Sequence, residues 1–181
     1  MMEKLIDGID SLSERTGRLV SWMTTALVLL ICYDVSMRYI ANETAVWFQE
    51  MEWHMFSLIF LIGAAYTMRH DKHVRVDVFY AKFSPKTQAW INLIGGLLLL
   101  LPFCIIMIKT SFGYAERAFV RMEASDDPGG LPFRFIIKGA ITLGFVLLSL
   151  QAVNELLKSV RTILGIRPAE TSATLPQSEI S

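Results

Sequence analysis

Four uncharged stretches constrain this chain most: Leu19 to Tyr33, Trp53 to Met68, Thr87 to Ile108 and Gly139 to Asn154. A helix needs ~20 residues to cross a hydrocarbon core of ~30 Å. The third stretch is long enough alone. The others reach that length by admitting a charge near one end: Asp34 in the first, Glu50 and Glu52 in the second, Lys138 in the fourth. Such positions are tolerable, because basic side chains snorkel to the interface and carboxylates can face protein instead of lipid. Backbone polar groups have no water partner inside a bilayer, so each stretch is expected to be helical. A buried helix of a soluble protein keeps one polar face. Leu97 to Leu101, followed by Pro102, Phe103 and Cys104, offers none. The expected fold is an all-α membrane protein with four transmembrane helices, over about 19–40, 46–68, 87–109 and 133–156, in one domain covering 1–167. Pro102 removes a helix hydrogen bond in mid-span and is expected to kink the third helix.

Composition narrows the function classes. With 53% hydrophobic and 19% charged residues the chain departs from soluble averages. Seventeen Lys and Arg balance seventeen Asp and Glu. No basic surface is left to neutralise phosphates, so no nucleic-acid partner is expected. Cys32 and Cys104 lie in apolar runs without a CxxC or metal-type spacing and read as small buried hydrophobes. Residues 3–18 are polar, and no small-residue cleavage site follows the first apolar run, so no cleaved secretory signal is expected. Leu5, Ile9, Leu12, Thr16 and Leu19 recur at helical spacing among charges. This pattern predicts an N-terminal interfacial amphipathic helix on the inner membrane surface. Residues 168–181, rich in Ser, Thr and Pro, are expected to form a disordered tail.

Basic residues in short flanks resist translocation and set orientation. Both termini and the loop between spans two and three share one side. That side holds Lys4, Arg15, Arg18, Arg69, Lys72, Arg75, Lys82, Lys86, Lys158, Arg161 and Arg167. Opposite stand only Arg38, Lys109, Arg117, Arg121, Arg134 and Lys138, eleven against six. Both termini are therefore expected in the cytoplasm. Trp22, Trp47, Trp53 and Trp90 fall at the ends of spans, where an amphipathic ring is stable at headgroup depth.

Ionisable groups within a span carry a functional hypothesis, so Asp34, Glu50, Glu52 and His54 come first. On a helix Glu50 and His54 share a face, while Glu52 points away. The two carboxylates are therefore not a shared-proton dyad or a two-carboxylate metal site. Glu50 and Glu52 sit in the first turns of their helix, where the macrodipole favours negative charge, and Arg38 is an available cation. His70 and His73, beside Arg69, Lys72 and Arg75, lack further ligands nearby in sequence, and no metal or cofactor is expected. A lone mid-span His54 does not supply the paired ligands of a membrane haem. No nucleophile–base pair, phosphate loop or nucleotide motif is present, and an enzyme is not expected. Gly63, Ala64, Ala65, Gly95 and Gly96 allow close helix approach, within the bundle or to a partner.

A series of these residues is similar to the small membrane subunit of tripartite ATP-independent periplasmic (TRAP) transporters. It runs from Arg38 and Tyr39 through Trp47, Glu50 and Glu52 to Gly63, Ala64 and Ala65. Next comes His73, Val74, Arg75, Val76 and Asp77. Glu123, Ser125, Gly129, Gly130, Leu131 and Pro132, with Ile137, Lys138, Gly144, Phe145, Leu150 and Gln151, resemble the mannitol or chloroaromatic branch. Many relatives carry a proline before the Gly144–Phe145 pair; here Ile141, Thr142 and Leu143 stand there. The resemblance implies a non-catalytic subunit in a bacterial cytoplasmic (inner) membrane. It would pair as a static scaffold with the large sodium-coupled permease subunit, for uptake of an organic acid or related solute delivered by a periplasmic solute-binding protein. It implies that Arg38, Trp47, Glu50, Glu52, His73, Arg75 and Asp77 anchor the bundle or its partner, with the basic inner loop near membrane lipids. Glu123, Asp126 and Asp127 are candidates to contact the binding protein. The competing reading is an autonomous, oligomeric, proton-coupled transporter using Asp34, Glu50 or His54.

Overall fold

The computed structural model describes residues 2–42, 45–70, 80 and 83–165. Helix α1 runs Met2–Ser36 and ends in a π-turn, Met37–Ala41. Asn42, at φ 53°, closes it by returning its N–H to the Met37 carbonyl. Helix α2 spans Val46–Arg69. Helix α3, Pro85–Gly95, starts at an N-cap, where Ser84 Oγ accepts the Thr87 N–H. A π-turn at Gly96–Leu100 joins it to α4, Leu101–Val120, and α5 covers Phe135–Ile163. Among the described residues there is no strand.

Among the described residues three helical rods are long and apolar enough to cross a membrane: Ile6–Ala41, Pro85–Val120 and Phe135–Ile163. Helix α2 has the length, at 24 residues, but carries Glu50, Glu52 and His54 in its first half. Helix α5 is the hub, packing against α1, α2, α3 and α4, while α1 also packs along α2.

The N-terminal segment differs from the surface helix expected of it. Residues 2–18 continue into the first rod without a break. The packed stripe is Ile6, Ser13, Gly17, Leu27 and Asp34, whereas Leu12 and Leu19 face outward. The packed side mixes Ile6 with Ser13 and Gly17, and the outer side mixes Leu12 and Leu19 with Asp7, Ser11, Arg15 and Arg18. Gly17 is required there, because a Cβ would collide with the Tyr66 ring.

Pro102 acts through the turn before it. A proline ring clashes with the carbonyl four residues back. The backbone widens at Gly96–Leu100, where Leu101 N–H reaches the Gly96 carbonyl, and Pro102 sits in the first turn of α4. Small residues pack the bundle internally. A Cβ on Gly144 would come within 2.9 Å of Leu61 Cβ, and one on Gly96 within 2.7 Å of Leu156. Helix α5 runs without a break through Ile141, Thr142 and Leu143. Cys104 is buried, but Cys32 faces outward, contrary to the expectation for both. Lipid or a partner can cover a thiol on an outer helix face as well as a core can.

Candidate functional site

The first polar node stands at the end of the bundle where α2 and α5 begin. Glu50, in the second turn of α2, is buried. Its carboxylate accepts from Ser125 Oγ, from Leu131 N–H at 2.5 Å and from Arg134 Nη2 at 3.3 Å. A side chain on a helix therefore holds the loop that leads into the next helix. The loop is shaped to reach it: Gly129 adopts φ +81°, and Arg134 N–H closes on the Glu123 carbonyl at 2.9 Å. Gly130 lies so close that a Cβ would stand 2.8 Å from Glu50 Oε2. Beside it, Lys138 binds both oxygens of Glu123 at 2.6 Å and lies 4.0 Å from the Tyr114 ring centroid.

The other sequence-selected residues of this end are not gathered at Glu50. Arg38, expected as a cation for Glu50 or Glu52, pairs instead with Asp34 at 2.6 Å, one turn back on α1. Spacing explains this, since i and i+4 positions meet on one helix face, and Arg134 already serves Glu50. Asp34 is buried with its second oxygen unbonded among the described residues, and one oxygen of Glu52 is in the same condition. Trp47 is outward-facing and stacks on Phe48 at 3.7 Å. His54 packs on Trp53, and its Nδ1–H donates to the Glu50 carbonyl at 2.5 Å. Asp126 is 97% exposed and 3.6 Å from Arg134, and Asp127 is exposed. His73, Arg75 and Asp77 lie outside the described residues, as does the segment 168–181.

A second node, at the opposite end, was not singled out from sequence. Asp10 of α1 accepts from Asn154 Nδ2 at 2.9 Å, Lys158 Nζ at 3.1 Å and Gln151 Nε2 at 3.3 Å. Arg69 of α2 stands 3.6 Å from Asp10 and 2.5 Å from Glu14. Ser13 Oγ donates to Gln151 Oε1 at 2.7 Å. Gln151 and Asn154 are wholly buried. Buried amides are costly unless bonded, so this network ties three helices in one register. The available signal was a stripe: Gln151, Asn154 and Lys158 recur at helical spacing, as do Asp10 and Ser13 with Ile6 and Gly17.

Between the nodes the polar contact across helices among the described residues is Thr142 Oγ1 donating to Ser111 Oγ at 2.9 Å, without a charged group. A crevice of about 620 Å³ opens near the first node, with Trp53, Phe56 and Phe60 on one wall and Arg134 and Lys138 at its head. A second, also about 620 Å³, lies by Asp7, Asp10, Glu14 and Arg69. Among the described residues no three His, Cys, Asp or Glu side chains group to hold a metal.

The family described as "Tripartite ATP-independent periplasmic transporters, DctQ component" matches residues 27–162. That range is most of the chain and contains the whole Glu50 node. The chain belongs to the DctQ component family of TRAP transporters. One relative is the C4-dicarboxylate TRAP transporter small permease protein DctQ of Vibrio cholerae serotype O1, 26% identical over 153 residues. The alignment covers 74% of this chain and 66% of the relative, just under two thirds of its length. The DctQ match starts after Asp10 and Ser13, so the second node is half inside the family region and half before it.

Proposed function

We propose that this chain is the non-catalytic small membrane subunit of a TRAP-type secondary transporter, a static scaffold for a large sodium-coupled permease subunit. The observation that carries the reading is the distribution of polar groups. The ion pairs and long-range hydrogen bonds of Glu50 and Asp10 gather at the two ends of the bundle, while outward faces such as Leu97, Leu98, Leu99 and Phe103 are apolar. A transporter that works alone needs a polar site at membrane depth. A scaffold needs rigid helices and an apolar exterior.

Four spans are part of this proposal, over about 19–40, 46–68, 87–109 and 133–156. Helix α2 qualifies as the second span because its one buried carboxylate, Glu50, faces protein donors instead of lipid. Flanking basic residues favour both termini on the cytoplasmic side of a bacterial inner membrane. Trp47, Glu50, Glu52 and Arg38 anchor the outer side, and His73, Arg75 and Asp77 the inner loop. Glu123, Asp126 and Asp127 form the contact for a periplasmic solute-binding protein, with Asp126 the most exposed of the acids that the structure pairs. The substrate is an organic acid or related solute, a reading supported by the dicarboxylate in the relative's name and by the motifs that resemble the mannitol or chloroaromatic branch.

Capture of the chain from native membranes, with its companions identified, tests the assignment. A large multi-span permease is the expected companion. Solute uptake by this chain alone in proteoliposomes would overturn the scaffold role.

A further inference from the structure

Contacts between helices fix which residues share a height in the bundle. Ser13 on α1 meets Gln151 on α5, and Asp10 meets Asn154. On the third rod, Gly96 meets Leu156, Ser111 meets Thr142, and Tyr114 meets Lys138. Helix α1 and the third rod both run antiparallel to α5; each packs on α5, with no substantial packing on each other.

Heights counted from these contacts expose a mismatch between the two flanks. Trp22 of α1 is level with Thr142, whereas Trp90 of α3 is level with Thr162, roughly 30 Å away along the axis at ~1.5 Å per residue. Both rings are outward-facing, 76% and 51% exposed, and each stands where the apolar run of its helix meets the N-terminal, basic flank. Tryptophans of this kind mark a membrane interface, yet one flat interface perpendicular to the bundle cannot take both.

Charge follows the same slant. At the height of Gln151 to Leu156, α1 turns Asp7, Ser11 and Arg15 outward while the third rod turns Leu97, Leu98 and Leu99 outward. Toward the first turn of α5 the pattern reverses. There α4 exposes Glu116 and Arg117 between the exposed Phe112 and Phe119, and α1 exposes apolar groups such as Val28 and Leu29. We infer that phospholipid hydrocarbon crosses the bundle obliquely, wetting the π-turn end of the third rod on one flank and the second half of α1 on the other. The N-terminal arm of α1 then stands in headgroups and water at a height where α3 is still in lipid. Rod length agrees: Ile6–Ala41 and Pro85–Val120 have 36 residues each, ~54 Å against a core of ~30 Å. Two interaxial distances of ~8–10 Å separate the flanks through α5, so the offset demands a tilt well above the ~20° average.

The inference rests on the proposed membrane-span reading, and the test separates the two. The full-length chain, carrying Cys32→Ser and Cys104→Ala, is purified with its co-purifying subunits into phosphatidylcholine–phosphatidylglycerol vesicles. Single variants Leu12→Cys, Leu98→Cys, Leu29→Cys, Glu116→Cys and Phe60→Cys, all at exposed positions, carry a nitroxide. Relaxation by oxygen, which enters hydrocarbon, is compared with relaxation by a water-soluble nickel chelate. The logarithm of that ratio is expected to be positive at Leu98, Leu29 and Phe60 and negative at Leu12 and Glu116. Equal ratios at Leu12 and Leu98 overturn the slant. So does shielding of Leu98 from both reagents, which would mean that protein covers this flank. A chelate-dominated Phe60 sinks the membrane-span reading itself.

Discussion

The two polar nodes use similar groups for different tasks. At the Glu50 node a helix holds a loop: Glu50 binds Ser125, the Leu131 amide and Arg134, residues that precede or open α5. At the Asp10 node helices hold each other, since Asp10, Arg69, Gln151, Asn154 and Lys158 come from α1, α2 and α5. The Glu50 carboxylate is the one acceptor common to the Ser125 hydroxyl, the Leu131 amide and Arg134, although Arg134 also reaches Ser125 Oγ at 3.3 Å and the exposed Asp126 at 3.6 Å. Around Asp10 the charge is distributed, because Glu14 also serves Arg69 and Glu155 also serves Lys158. A network with one hub fails when the hub is lost; a network with several acceptors degrades by steps.

Breaking this contrast produces the largest effect first. Glu50→Ala leaves the Leu131 amide and Arg134 without their carboxylate, and is expected to lower the melting temperature of the detergent-solubilised chain more than any other change here. An equal drop from Asp10→Ala would erase the distinction. Gly130→Ala places a methyl group against Glu50 and Ser125 and should cost about 1–3 kcal/mol in denaturant unfolding, as overpacking does.

Asn154→Ala sharpens the other side. It leaves Asp10 short of one donor and should cost about 1–3 kcal/mol. In a double-mutant cycle with Asp10→Ala the coupling is expected to be at least about 0.5 kcal/mol, and strict additivity would show that the buried amide packs without bonding. Asp126→Lys should have the smallest effect on stability, within about 1 kcal/mol, because its pair with Arg134 is solvent-exposed. Its readout is solute uptake by the assembled transporter. Unchanged uptake from Asp126→Lys combined with Asp127→Lys would argue against the proposed contact with the binding protein.

Much of the architecture was legible because hydrocarbon imposes a simple rule. Apolar runs at 87–108 and 139–154 lie inside the rods Pro85–Val120 and Phe135–Ile163, and the DctQ family match agrees with the motifs around Glu50, Gly130 and Lys138. Glu50 was legible, together with Glu52, as a carboxylate near the start of its helix. Its partners were not, since Ser125 and Leu131 lie 75 and 81 residues away in the chain. The Asp10 node escaped notice because its residues look like an ordinary charged lead-in. Polar residues flanking a span have the same composition whether they face water or two neighbouring helices.

By itself, the order of apolar and charged residues determined that this chain is helical and where its long apolar runs lie, and the resemblance of its motifs pointed to the family. Those properties follow from local hydrophobicity and from motifs contiguous in the chain. Only the packed structure decided that Arg38 serves Asp34, that Arg134 serves Glu50, and that the N-terminal segment docks by Ile6, Ser13 and Gly17. It also decided that α1 and the third rod present their apolar surfaces at different heights. Each of these depends on register between helices, and register is set by contacts such as Gly17 on Tyr66 and Gly144 on Leu61, between residues far apart in sequence.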